Sequence, residues 1–171
     1  MTTTREELGS KSDYATLRSV VKADLKALAN LDEEVFGNAA YSLMYMTSLY
    51  LMFRKSWYLA EHEGGLAGYA LVCPDSDNSE VWLMGLAVSG NCQGHGLGRT
   101  LMARAMELMM DSGAPDAYIT VRPDNKAARH LYEAFEFTAD GEERDNFYGN
   151  GEPRQVFHRS LVKNPYTAAP A

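Results

Sequence analysis

The sequence predicts an α/β fold in one domain, with a mixed sheet and flanking helices. Three observations predict it. Apolar runs of strand length recur, above all Val81 to Val88. Other stretches space apolar residues three and four apart, as an amphipathic helix does: Leu25, Leu28, Leu31 and Val35, and later Leu101 to Met110. The order of these runs is hairpin-like in the first half and strand–helix–strand–helix in the second. A length of 171 residues suits one domain, and 46% hydrophobic residues suffice for a core.

Residues 1–12 read as a loose polar leader with Glu6 and Glu7 and no apolar signal core. Thr16 to Val21 is a first strand. Asp24 starts a helix that Gly37-Asn38 breaks. Tyr41 to Phe53, rich in Leu, Met and Tyr, is a second helix. Trp57 to Glu61 and Ala67 to Cys73 are strands joined through Glu63-Gly64-Gly65, where the Gly-Gly pair signals a hairpin. Pro74 to Ser79 is a polar loop before the apolar strand. Gly85 inside that strand marks a bulge, which would splay the neighbouring strand and free backbone groups. The next helix ends near Gly113, with Pro115 beyond its stop. Tyr118 to Val121 is a strand, and Asp124 or Asn125 caps a short helix through Ala134. Phe137 to Val162 suits two strands around the Gly149-Asn150-Gly151 turn. The domain is expected over 13–163, and 164–171 is a frayed tail.

Composition excludes several function classes. The formal charge is −7, which argues against nucleic acid, whose phosphates require clustered Lys and Arg. It suits a cationic amine substrate. Cys73 and Cys92 are too few for a disulfide framework, so a reducing compartment, the cytoplasm, is expected. No stretch approaches the ~18 apolar residues of a membrane span. No metal site is expected.

The most informative stretch is Gln93-Gly94-His95-Gly96-Leu97-Gly98, set between a strand and a helix. Closely spaced glycines let backbone approach a ligand, and a helix start offers unpaired N–H groups and a positive dipole end. A phosphorylated cofactor is therefore expected here. A dinucleotide fingerprint needs G-x-G-x-x-G, whereas the spacing is G-x-G-x-G. A P-loop needs a lysine, and the chain has Gly98-Arg99-Thr100 without it. An ordinary tight turn does not need three glycines at every second position.

The pattern Gln-x-x-Gly-x-Gly after an apolar strand resembles the acyl-CoA signature of the GNAT superfamily of N-acetyltransferases. Leu86-Ala87-Val88 precedes Gln93 as in that family. Val121-Arg122-Pro123-Asp124-Asn125, then Ala127 to Tyr132, resembles its second half-site: a strand, an Asn and a Leu-Tyr helix. The order of elements from Thr16 to Val162 is similar too. The resemblance implies the GNAT fold: a mostly antiparallel central sheet, flanking helices and a splayed acyl-CoA site. It implies acetyl-CoA as acyl donor and a primary amine as acceptor. By resemblance, Leu86, Ala87 and Val88 pair with the pantetheine arm. Gln93, Gly94, His95, Gly96, Leu97, Gly98 and Arg99 wrap the pyrophosphate. Asn125 contacts the CoA arm, and Tyr132 protonates the departing thiolate. From the residues alone, Tyr132 also fits a core position in the stripe Ala128, Leu131, Tyr132 and Phe135. The resemblance allows a homodimer.

The base is the open position. Some N-terminal acetyltransferases of the family carry a glutamate where this chain has Thr120. Glu80, at the start of the apolar strand, is the candidate base through water, although it equally suits a solvated loop. His62 and His158 are further candidates. A missing strand base fits a weakly basic amine, such as an α-amino group. The family commonly stops its last helix on glycine, where this chain has Phe135-Glu136-Phe137. A left-handed Glu136 would cost ~1–2 kcal/mol, so either the helix runs on or the stop is strained.

On the acceptor side the resemblance points to Phe36 to Tyr50 and Asp145 to Glu152, with Phe36, Tyr41 and Tyr148 as substrate-binding candidates. Asn146 to Glu152 resembles a stretch of ribosomal-protein-type N-terminal acetyltransferases, which implies a protein or peptide N-terminal α-amine. Tyr148 equally suits cross-strand packing. Direct attack in a ternary complex is expected, since neither cysteine has a base beside it in sequence. Cys92, at the edge of the glycine turn, is a thiol to check. The alternatives are a small-molecule acetyltransferase (aminoglycoside, polyamine or amino acid) and a non-catalytic acyl-CoA-binding module. Tyr132 argues against the module, and the missing strand glutamate argues for it.

Overall fold

A computed structural model describes residues 14–149 and 151–162. The leader 1–12, the tail 164–171 and Asn150 lie outside the described residues. The described chain forms two compact units, one running up to Cys73 and resuming over Leu83–Leu108, the other made of Pro74–Trp82 and the residues from Met109 on.

The first unit contains β1 (Thr16–Ser19), α1 (Leu25–Phe36), α2 (Leu43–Phe53), β2 (Trp57–His62), β3 (Gly65–Pro74), most of β4 (Glu80–Val88) and most of α3 (Leu97–Asp111). Its strands run in the order β1-β2-β3-β4. β1 pairs antiparallel with β2, Leu17 opposite Ala60, and β2 antiparallel with β3, Leu59 opposite Tyr69. Side chains alternate between faces with period two. Trp57, Leu59, Tyr69 and Leu71 join Leu25, Leu28 and Leu31 of α1 in one buried cluster, with Met46 and Leu49 of α2. On β2, Tyr58 alternates with Trp57 and Leu59, and its hydroxyl donates to the Leu101 carbonyl of α3 at 3.1 Å. A Cβ on Gly68 would lie 2.6 Å from the Ala87 carbonyl and 2.9 Å from Leu101, so glycine permits this close packing.

The second unit contains the opening residues of β4, then β5 (Asp116–Val121), α4 (Lys126–Ala134), β6 (Thr138–Ala139) and β7 (Gln155–Ser160), with strands in the order β4-β5-β7-β6. β5 and β7 are antiparallel, Tyr118 opposite His158 and Ile119 opposite Phe157. Ala117, Ile119, Val121 and Phe157 are buried, and the Phe157 ring meets Tyr132 of α4 edge-on. The expected class, α/β with a mostly antiparallel sheet and flanking helices, is the fold observed. Every pairing with a described register is antiparallel.

Local differences from the expected elements have physical reasons. The β2–β3 turn is Glu63-Gly64 rather than Gly64-Gly65, with φ of 51° and 79°. Two successive positive φ values are what a two-residue turn needs to match strand twist. α3 starts at Leu97, inside the glycine run rather than after it. Over residues 137–162 the two expected strands are present, but the first is only two residues long, and among the described residues one bridge, Arg144 with Arg154, lies between it and β7. The intervening residues, Asp140-Gly141-Glu142-Glu143, have no apolar alternation to bury. The helix stop is strained: Glu136 has φ 63°, while Phe137 N–H closes onto the Tyr132 carbonyl at 3.1 Å. Gly85 also makes room for Tyr69, whose hydroxyl would stand 2.7 Å from a Cβ there.

Candidate active site

In the first unit, β4 leads through Ser89 into a tight turn over Gly90–Cys92 and then the glycine run. Glu34 of α1 fixes the approach, its Oε1 accepting from Gly90 N at 3.1 Å and Ser89 Oγ at 3.3 Å. Gln93 Nε2 donates to the Val88 carbonyl at 3.3 Å. Gly94 and Gly96 have φ of 80° and 78°, which side-chain-bearing residues rarely adopt, and a Cβ at either would meet nothing within 4 Å. The space beside the backbone is open. Thr100 N bonds the Gly96 carbonyl at 3.1 Å, so the N–H groups of Leu97, Gly98 and Arg99 precede α3's first regular bond. Open glycine backbone and N–H groups at a helix start fit an anionic phosphate group. The His95 ring stacks on Tyr14 at 4.3 Å, and Tyr14 stacks on His62 at 4.0 Å.

Phe36 ends α1 and is 37% exposed. Tyr41 follows in the connection to α2. Its hydroxyl donates to the Met84 carbonyl of β4 at 3.0 Å, and its ring lies 5.0 Å from that of Tyr45. Its backbone N–H donates to Asp32 Oδ2 at 2.6 Å. Asp32 is 2% exposed, and its Oδ1 accepts the Tyr69 hydroxyl. Burial raises the Asp32 carboxyl above its usual range, despite the two donors that favour its charge. Asp32 was not among the expected site residues. Its signal is present in the sequence: it lies at helical spacing from Leu25 and Leu28, a carboxylate inside an apolar stripe.

In the second unit, Tyr132 sits on α4 and is buried, and burial pushes its phenol up to about 12. It therefore keeps its proton at neutral pH. Asn125 caps α4, its Oδ1 accepting from Ala128 N at 3.1 Å. That bond leaves its NH₂ for another partner, while Asp124 pairs with Arg122 at 2.9 Å. Glu80 opens β4, and its Oε1 accepts from the Trp82 indole at 2.8 Å. Trp82 stacks on Tyr118 at 5.0 Å.

The structure brings together two residues that sequence reasoning treated separately. Thr120 Oγ1 and the Tyr148 hydroxyl are hydrogen-bonded at 2.7 Å. The Tyr148 ring is flanked by Phe147, edge-on at 4.8 Å, and by the Arg154 guanidinium at 5.5 Å, while 51% of the residue stays exposed. Their 28-residue separation left no sequence signal for the pairing.

The remaining candidates have structural partners. His62 donates from Nδ1 to the Tyr14 carbonyl at 2.6 Å, and His158 Nε2 pairs with Asp116 at 2.7 Å. Cys73 is buried, and desolvation pushes its thiol up to about 12, so it is no nucleophile. Cys92 is half-buried beside the Tyr14 hydroxyl. Among the described residues, no helix is long and apolar enough to cross a membrane, and no group of three or more His, Cys, Asp or Glu could hold a metal.

The Acetyltransferase (GNAT) family model matches residues 25–137. A mycothiol acetyltransferase of Beutenbergia cavernae is 37% identical over 73 residues, covering 43% of this chain and 24% of that protein. A candidate ribosomal-protein-bS18-alanine N-acetyltransferase of Bacillus subtilis is 30% identical over 92 residues, 54% of this chain and 60% of that one. The chain thus spans about a quarter of the first relative's length and three fifths of the second's. The solved ribosomal-protein-S18-alanine N-acetyltransferase of Escherichia coli has the same fold, with a TM-score of 0.75 at 22% identity, covering 91% of this chain and 99% of that one.

Proposed function

We propose that this chain, which belongs to the GNAT acetyltransferase family and takes its acetyl group from acetyl-CoA, moves that group to a primary amine by direct attack in a ternary complex. We further propose that the amine is the N-terminal α-amine of a protein or peptide. The Thr120–Tyr148 pair carries this reading. By the resemblance, Thr120 falls where some N-terminal acetyltransferases of the family carry a glutamate, and a threonine hydroxyl cannot serve as a base. The acceptor must then lose its proton without a carboxylate at that position, so the cost of deprotonation decides which amine can react. A lysine-type amine lies ~3.4 units above pH 7 and an α-amine ~0.7–1 unit, so deprotonation costs ~4.6 against ~1 kcal/mol. An α-amine meets a site without a strand carboxylate; a lysine does not. Tyr148, half-exposed and oriented through Thr120, is the group we assign to hold the acceptor backbone.

The other roles follow the same reading. Leu86, Ala87 and Val88 offer backbone groups to the pantetheine arm. Gln93 to Arg99 enclose the pyrophosphate with N–H donors, and the helix dipole adds ~0.3–1 kcal/mol. Asn125 contributes the NH₂ its cap leaves over. The acyl donor supplies the thioester. Nitrogen attacks its carbonyl carbon, the C–S bond breaks, and the nitrogen loses the proton that the sulfur finally gains. Tyr132 donates to the sulfur as charge develops there. A thiol ordinarily titrates near ~8.5, so a phenol at about 12 stabilises the thiolate chiefly by a hydrogen bond rather than by complete transfer. Glu80, through water, is the group proposed to receive the nitrogen's proton. Two unpaired cysteines fit a reducing compartment, which we take to be the cytoplasm.

The test is thiol release from acetyl-CoA across peptides with free N-termini, the same peptides blocked at the N-terminus, and small amines. Free N-termini are expected to turn over, and blocked peptides are not. The match to a mycothiol acetyltransferase favours one second reading, a small-molecule amine acceptor. Turnover confined to small amines establishes it and overturns the peptide reading.

A further inference from the structure

We infer that Asp32 is a positioning residue for the acceptor, a buried clamp that ties the connection between α1 and α2 to the strand preceding Val88. This rests on the reading that the acceptor lies against the Phe36–Tyr41 connection. Two arms leave the one carboxylate. Through Oδ2 it takes the Tyr41 backbone N–H at 2.6 Å, and Tyr41 in turn donates its hydroxyl to the Met84 carbonyl at 3.0 Å. Through Oδ1 it takes the Tyr69 hydroxyl, and Tyr69 stands where a Cβ on Gly85 would come within 2.7 Å. The arms arrive at consecutive residues of β4, Met84 and Gly85, immediately before Leu86, Ala87 and Val88.

Packing alone does not call for this arrangement. Asp32 lies in the apolar stripe of α1 beside Leu28 and Leu31, where leucine would suit the core. A leucine would leave the Tyr41 N–H and the fully buried Tyr69 hydroxyl without their acceptor, and unmet buried donors are costly. A carboxylate in the core needs hydrogen bonds to offset its desolvation, and these two bonds fix a loop and a core tyrosine with the same group. Gly37 takes φ 55°, and only the short turn Gly37–Ala39 precedes Tyr41. The clamp thus sets where Tyr41 and Phe36 stand relative to β4 within this unit.

Asp32→Leu and Asp32→Asn separate positioning from packing. The asparagine can turn its carbonyl to the Tyr41 N–H and its NH₂ to the Tyr69 oxygen, so it is the conservative rescue. The acceptor used is whichever amine the wild-type protein acetylates, peptide or small molecule. Failure of the α-amine reading is thereby seen in the wild type, before any variant is compared. Asp32→Leu is expected to raise acceptor KM at least tenfold while the acetyl-CoA Kd stays within twofold, and Asp32→Asn to keep acceptor KM within threefold. Amide exchange over 36–45 is expected to speed at least tenfold in Asp32→Leu and little in Asp32→Asn, with β2 and β3 unchanged. If Asp32→Leu does not fold, Tyr41→Phe, which removes the hydroxyl bonded to Met84, is expected to raise acceptor KM at least threefold with acetyl-CoA affinity intact. Unchanged exchange over 36–45, an unchanged acceptor KM, or an equal loss of acetyl-CoA affinity overturns the inference.

Discussion

Tyr132 is suited to its proposed role by burial. Desolvation holds its phenol near 12, so the group is a hydrogen-bond donor throughout the neutral range. Tyr132→Phe keeps the ring that meets Phe157 and removes only the hydroxyl. It is expected to lower kcat at least tenfold with acetyl-CoA binding retained, measured by thiol release and by calorimetric titration. Unchanged turnover would remove Tyr132 from the chemistry. At this scale the sequence was informative where the candidate residues are set by local spacing. Asn125 and Tyr132 lie seven residues apart on one capped helix, and the glycines lie within one turn. It was silent about contacts between residues far apart in the chain. Thr120 meets Tyr148 and Asp32 meets Tyr69 only once the helix and the turn pack on the strands.

The elements show how local rules yield to packing. Just past α4, Glu136 takes φ 63°, held while Phe137 is buried and the Glu136 carboxylate pairs with Arg159 at 2.7 Å. The left-handed conformation costs ~1–2 kcal/mol for a residue with a Cβ, while an exposed pair returns ~0–1 kcal/mol. Glu136→Gly is therefore expected to stabilise the fold by ~0.5–1 kcal/mol, raising Tm by ~1–4 °C. A lower Tm by calorimetry would show that the ion pair outweighs the strain. Helices were legible from periodicity because α1 and α3 each bury one face. The last region was less legible. Its backbone closes by turns and side-chain bonds, such as Gly151 N to Asn146 Oδ1 at 2.5 Å, rather than by an apolar pattern.

At the scale of the whole molecule, one charged junction and the net charge bear on the account. Arg18 of β1 donates to Asp24 before α1 at 2.7 Å and to Glu61 of β2 at 2.7 Å. Burial pushes the Asp24 carboxyl up, but the Arg18 guanidinium and the Val21 N–H outweigh it and hold the group below its usual range. A carboxyl with a lowered folded pKa stabilises above its unfolded value, ~3.9, and loses that contribution as pH falls through the lower folded one. Asp24→Asn is expected to cost ~1.5–3 kcal/mol at pH 7, and its difference from wild type to close below about pH 3.9, read from urea unfolding across pH. A pH-independent difference would contradict that assignment. The net charge is −7, which suits the proposed amine acceptor, and GNAT acetyltransferases use acetyl-CoA as donor. Everything distinctive then rests on which amine attacks. The most direct measurement is mass spectrometry of a peptide carrying both a free N-terminus and an internal lysine, after incubation with the protein and acetyl-CoA. One acetyl group on the α-amine is the predicted result. Acetylation of the lysine in its place would contradict the account.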